Sequence, residues 1–241
     1  MEISKIIPEI YYDLLGRVIP GLMALWIWCD ALGYDWVTIT VGIYVGSKTL
    51  SESVFVLVVT TLLMAYLVGY LIGPLSNFVH SKVLAKMFPS FFNVLKDASS
   101  NGPNQYPTEF REFFRNETSR ILRTATETAS ASEYRRITYL WYDWVRITDP
   151  TAGTRLAKIR AEYRMLEGLC VVFGTAILGY VTSVWLISKA IDWGFIIGCT
   201  LVTIILVLNA SRLFQTFQWA VINHYYQLKN SSSSNFSDPE H

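Results

Sequence analysis

Between Ser53 and Val79 the chain carries no charged residue, and Val54–Leu75 is apolar almost throughout. A run of about 20 apolar residues, coiled as a helix, reaches across the hydrocarbon core of a bilayer. No water is present there to satisfy free backbone N–H and C=O groups, so a spanning segment must bond its own backbone. This stretch therefore has to be a transmembrane helix. The rest of the chain agrees. Of its 241 residues 52% are hydrophobic and 16% charged, whereas a soluble domain carries about 25% charge to keep its surface wetted.

Two further runs have the same character: Gly168–Ser188, bounded by Glu167 and Lys189, and Trp193–Ser211, bounded by Asp192 and Arg212. A fourth, beginning at Val18, is apolar to Cys29 and then meets Asp30, with Arg17 at one end and Trp26, Trp28 and Trp36 placed for an interfacial belt. It is preceded by Glu2, Glu9 and Asp13 rather than by a short basic region, unlike a cleaved signal peptide. The expected fold is an all-α polytopic membrane protein with four transmembrane helices at 18–36, 54–78, 167–188 and 193–211. Only Lys189–Asp192 separates the last two, which implies an antiparallel hairpin. The outer loop 37–53 alternates in polarity and reads equally as a small β-hairpin or an interfacial turn.

Basic residues set the orientation. Residues 79–166 hold fourteen of the twenty Lys and Arg, against Lys48 alone in 37–53 and Lys189 alone in the turn after the third span. The positive side faces the cytoplasm. This places the N-terminal segment 1–17, the segment 79–166 and the tail 212–241 there, in an inner (plasma) membrane. The segment 79–166 has the pattern of a small helical domain. Phe110, Phe114, Ile121, Leu122 and Ala125 share one face, with Thr108 as a candidate N-cap. Tyr134, Ile137, Trp141, Trp144 and Val145 form a second stripe. Leu156, Ile159, Tyr163 and Leu166 form a third that runs without a breaker into the third span. Asp97–Pro107 and Asp149–Gly153 read as turns, and Ser231–His241 as a disordered end.

The sequence offers no catalytic constellation. A phosphate-binding Gly-rich loop, His-Glu-x-x-His, Gly-x-Ser-x-Gly and Cys-x-x-Cys are all missing, and no cofactor or metal is expected. Cys29, Cys170 and Cys199 lie in apolar runs as small packing residues. The Thr and Ser residues of the spans are expected to bond their own helix carbonyls. Asp30 reads as an interfacial carboxylate.

Small residues spaced by four let helix backbones approach closely in a membrane. Ala65, Gly69 and Gly73 form such a ladder in the second span, Thr175, Gly179 and Ser183 in the third, and Gly194 and Gly198 in the fourth. Three ladders point to packing between chains as well as within one, hence a homo-oligomer. Arg155, Lys158, Arg160 and Arg164, on the helix entering the third span, are placed for anionic lipid head groups. For a cytoplasmic protein partner or ligand the candidates are Arg135, Arg136 and Tyr142, since arginines and exposed aromatics dominate interfaces and Tyr142 lies off the inward stripe. Nucleic acid or a nucleotide is disfavoured because acids interleave the basic residues between Arg111 and Arg136.

Hydrophobic hairpins around a small basic helical domain resemble membrane subunits of bacterial phage-defence systems. The resemblance implies a role in antiviral defence and assigns no residue. The resulting expectation is a non-enzymatic, oligomerising inner-membrane protein that binds a partner or ligand through its cytoplasmic domain while its spans anchor it or perturb the membrane. An ion channel or pore is the alternative, and a lipid-acting enzyme comes third.

Overall fold

The computed structural model describes residues 3–31, 50–79, 82, 107–122, 131–187 and 191–234. Six helices and no strand occur among these residues: α1 (Ile3–Ala31), α2 (Leu50–Val79), α3 (Thr108–Leu122), α4 (Ala131–Thr148), α5 (Pro150–Ile187) and α6 (Trp193–Ser234). Three of them, α2, α5 and α6, are long and apolar enough to cross a membrane, which marks the chain as a membrane protein. The helix α1 is not among the three. Its apolar part runs from Val18 to Cys29, where Asp30 follows, about 18 Å of helix at 1.5 Å per residue against a core of about 30 Å. The remaining residues of the expected first span, 32–36, lie outside the described residues, as do most of the outer loop, Asp97–Tyr106, Ala125 and the chain end from 235.

The α5 and α6 starts are capped by aspartates. Asp149 Oδ1 accepts from the backbone N–H groups of Thr151 and Ala152 at 3.0 and 3.1 Å, with Pro150 at the first helical position, where its missing N–H costs nothing. The expected turn Asp149–Gly153 is thus a helix start. Gly153 sits inside α5, where an added Cβ would lie 2.9 Å from Arg146 Cα. Asp192 Oδ1 likewise accepts from Gly194 and Phe195, while its own N–H donates to the Tyr180 hydroxyl at 2.7 Å. At α3 it is the Pro107 carbonyl that accepts from Arg111 N, so the cap lies one residue before Thr108.

The chain divides into two compact units. The first comprises Met1–Glu9, Leu84–Arg160 and Ser211–His241. Its core is aromatic: Trp141 stacks on Tyr225 with ring centres 4.6 Å apart and 12° between planes, and Phe114 lies 5.3 Å from Trp141. Phe114, Tyr134, Ile137, Val145 and Leu156 are buried as the three stripes require. Unexpectedly, the fourth wall is α6. Phe214, Phe217, Val221, Ile222 and Tyr225 are all buried here, so the stretch read as a tail is core-forming helix as far as Ser234.

The second unit comprises Ile10–Val83 and Ala161–Ala210. Ala24, Ile27, Ile72, Val171, Val172 and Ala176 form its core. Most of the α2 surface, including Leu62, Leu63, Leu67 and Leu71, is exposed, as befits a lipid-facing helix. The span hydroxyls of Thr182, Thr200 and Thr203 donate to carbonyls four residues back, the self-satisfaction expected of them. All three cysteines are free thiols.

Candidate functional site

Within the second unit, α1, α2 and α5 meet through small residues. An added Cβ on Gly21 would lie 1.7 Å from the Ala65 carbonyl oxygen, one on Gly69 2.0 Å from that of Arg17, and one on Gly168 2.8 Å from Pro20 Cγ. Gly21 and Gly69 are required by backbone contact, and Gly168 by the Pro20 ring packed against it. Ala65 and Gly69 therefore do pack helices, but within one chain, and the α1 residues that they meet (Gly21 and Arg17) belong to no ladder visible in the sequence. Gly73, one step further along, has no atom within 4 Å of its missing Cβ.

What Gly73 borders instead is a cavity of about 220 Å³. Arg17, Ser76, Asn77, Arg164 and Glu167 bring polar groups to its wall, with Tyr12 and Tyr70. The Arg17 guanidinium is held against α2, its central carbon 5.0 Å from the Tyr70 ring centre and 5.9 Å from that of Tyr66. Cation–π contact of this kind helps to hold the guanidinium in place. Glu167 is only 4% exposed and accepts a hydrogen bond from the Tyr163 hydroxyl one turn earlier. Guanidinium groups are pure donors, and a carboxylate is a pure acceptor. The wall thus carries two positive groups, one negative group and several neutral donors.

The other ladder residues separate into two sets. Thr175 receives the Trp28 indole N–H at 3.1 Å, so Trp28 points into the bundle rather than joining a belt, whereas Trp26 is exposed. Ser183 is buried and donates to the Tyr180 carbonyl. Gly194 lies in the α6 cap. Gly179 and Gly198 have open space where a Cβ would stand.

No protein family, curated protein or solved structure matches this chain.

In the first unit Tyr142 is 2% exposed, which corrects its expected outward position. Its ring lies 5.5 Å from Phe217, and the Arg160 guanidinium sits over both Tyr142 and Tyr139 at 4.9 and 5.0 Å. The cause is α6, which covers a flank of α4 that the three stripes of residues 79–166 leave open. Arg160 itself is half-buried among rings, its Nε buried without a hydrogen-bond partner, rather than at the fully wet position expected of it. Arg135 sits 5.8 Å from the Tyr139 ring and 5.6 Å from Phe214. Arg136, its neighbour, is exposed, since adjacent helix residues do not share a face. Arg155, Lys158 and Arg164 are exposed, and of these Arg164 lines the cavity. The Tyr225 hydroxyl donates to Glu117 Oε2 at 3.3 Å. Burial, and next the Glu117 charge, push its pKa up to about 12. Among the described residues no three His, Cys, Asp or Glu side chains gather as metal ligands.

Proposed function

We propose that this chain is a non-enzymatic membrane protein that works by assembling with copies of itself and presenting its helical domain to a protein partner. The observation that carries the reading is the open space at Gly179 and Gly198. A glycine in a helix interior costs about 0.5–1 kcal/mol relative to alanine, and within one chain neither of these glycines offsets that cost by a close contact. Approach of a second chain along α5 and α6 would offset it. In this reading a first span from α1 completes a four-span anchor in an inner membrane. Both ends and residues 79–166 then lie on the cytoplasmic side, following the distribution of basic residues.

The partner-facing surface is the outer face of α4, where Arg136, Leu140, Asp143 and Ile147 are exposed. Tyr142 is withdrawn from that role by its burial. Antiviral defence is the proposed setting, resting on the architectural resemblance alone. Gly179→Leu and Gly198→Leu test the assembly in lipid nanodiscs by chemical cross-linking. The added Cβ meets no atom of its own chain within 4 Å at either position, so a fall in cross-linked species with helix content unchanged reports lost contact between chains. Unchanged cross-linking in both variants would rule out these helices as the assembly surface.

A further inference from the structure

We infer that the cavity between α1, α2 and α5 is a binding site for an anionic phosphoryl group, the head group of an acidic phospholipid being the source that its position favours. The inference is independent of self-assembly and of the choice of protein partner.

Three boundaries in the sequence coincide at this cavity. Arg17 stands on α1 immediately before the apolar run from Val18. Arg164 and Glu167 end the charged part of α5, immediately before the run from Gly168. Ser76 and Asn77 follow directly on the apolar run of α2, which ends at Leu75. Residues far apart in the chain are therefore gathered at one depth, where hydrocarbon gives way to head groups and water. Basic pockets between helices at this depth are where acidic head groups bind.

The chemistry of the wall fits an anion. Each guanidinium offers five N–H donors in a planar fork matched to the oxygens of a phosphate, so one that already has a partner in the protein retains others. Arg17 and Arg164 come from different helices and would grip such a group from two sides. Ser76, Asn77 and Tyr12 add neutral donors. Glu167 balances one of the two positive charges. Two guanidinium groups to one carboxylate among the lining residues make a donor-rich wall, which suits an anion of modest charge. Tyr163 already engages the carboxylate.

Size and surroundings narrow the ligand further. Pockets that enclose a drug-sized molecule run to roughly 300–1,000 Å³, and this one has about 220 Å³. It has room for a head group and not for acyl chains. The adjoining surface of α2 exposes Tyr70, Leu71, Leu75 and Phe78, an apolar strip along which chains can lie in the bilayer. Gly73 explains itself here too: a side chain at that position would occupy the space that a ligand needs.

The test uses the full chain in neutral detergent and native mass spectrometry. Phosphatidylglycerol and phosphatidylcholine with the same acyl chains are titrated separately, and glycerol 3-phosphate is added as a soluble competitor. Phosphatidylglycerol should be retained in preference to phosphatidylcholine. Arg17→Gln or Arg164→Gln should weaken its retention about tenfold or more, the loss of a charge-assisted hydrogen bond. Gly73→Leu removes no charge, and its Cβ has no protein atom within 4 Å, so it should block retention while leaving helix content intact. That keeps the test decisive if Arg17→Gln fails to fold. Arg212→Gln, an exposed charge at the end of the α6 apolar run that does not line the cavity, should retain lipid as the wild type does. Binding of glycerol 3-phosphate with the same arginine dependence, and displacement of lipid by it, would support the site and make a soluble phosphate ester the source. Equal retention of the two lipids without arginine-dependent binding of glycerol 3-phosphate, or undiminished phosphatidylglycerol retention by Gly73→Leu, would overturn the inference.

Discussion

Gly69 and Gly73 stand one turn apart on α2, on the same ladder, and the structure gives them opposite fates when a methyl group is added. At Gly69 the new Cβ would lie 2.0 Å from the Arg17 carbonyl oxygen and 2.7 Å from its carbon. Carbon–oxygen contacts settle near 3.3 Å, so α1 and α2 would have to part by more than about 1 Å. Both clashing atoms are backbone and cannot rotate away. Such overpacking costs about 1–3 kcal/mol. At Gly73 the new Cβ meets nothing within 4 Å. Both substitutions gain the same helix propensity, about 0.5–1 kcal/mol, which cancels when the two are compared. The remaining gap of about 1–3 kcal/mol corresponds to roughly 2–12 °C in melting temperature for a chain of this size. Tryptophan fluorescence during heating in neutral detergent measures it directly, with Gly69→Ala expected to melt below Gly73→Ala. Equal melting temperatures, or the reverse order, would refute the close α1–α2 contact and with it the placement of Arg17 at the cavity.

Other consequences are equally accessible. Because burial raises the Tyr225 pKa from 10.0 to about 12, the unfolded chain ionises first and stability is lost as pH rises through that interval. Tyr225→Phe should melt with a flatter alkaline dependence and lack one late-titrating phenol in ultraviolet absorbance. Asp149→Ala should cost about 1 kcal/mol by removing the α5 cap, with Asp149→Asn costing far less, as read from thermal melts. Cysteines placed at Ser47 and Ser188 should react with an impermeant maleimide in intact cells while one at Ser100 does not. Labelling at position 100 would reverse the orientation.

Much of this architecture is legible in the sequence because a membrane leaves few options. The α2 span follows from its charge-free run, and the continuity of α5 follows from the absence of a breaker between Leu156 and Gly168. The reading faltered where one cue had two meanings. Asp149-Pro150 suits a turn and equally a capped helix start, and only the bonds to Thr151 and Ala152 distinguish them. After Arg212 the polar residues Gln215, Gln218, Asn223 and Gln227 suggest a tail. Yet Phe214, Phe217, Val221, Ile222 and Tyr225 repeat at helical spacing on one face. That signal was present and was masked by composition. Once α6 is a wall of the domain, the burial of Tyr142 follows, since the covered face of α4 must be wider than a single stripe. The cavity was not legible at all. It depends on the register of three helices at residues 17, 76 and 164, which no local pattern encodes.

Self-assembly is the claim on which the proposed function turns, and one measurement addresses it most directly. The wild-type chain, extracted from native membranes into lipid nanodiscs without a detergent step, can be weighed by native mass spectrometry. Assembly through α5 and α6 predicts a protein mass that is a fixed multiple of one chain, reduced toward a single chain in Gly179→Leu. A single-chain mass for the wild type at every protein-to-lipid ratio would contradict it.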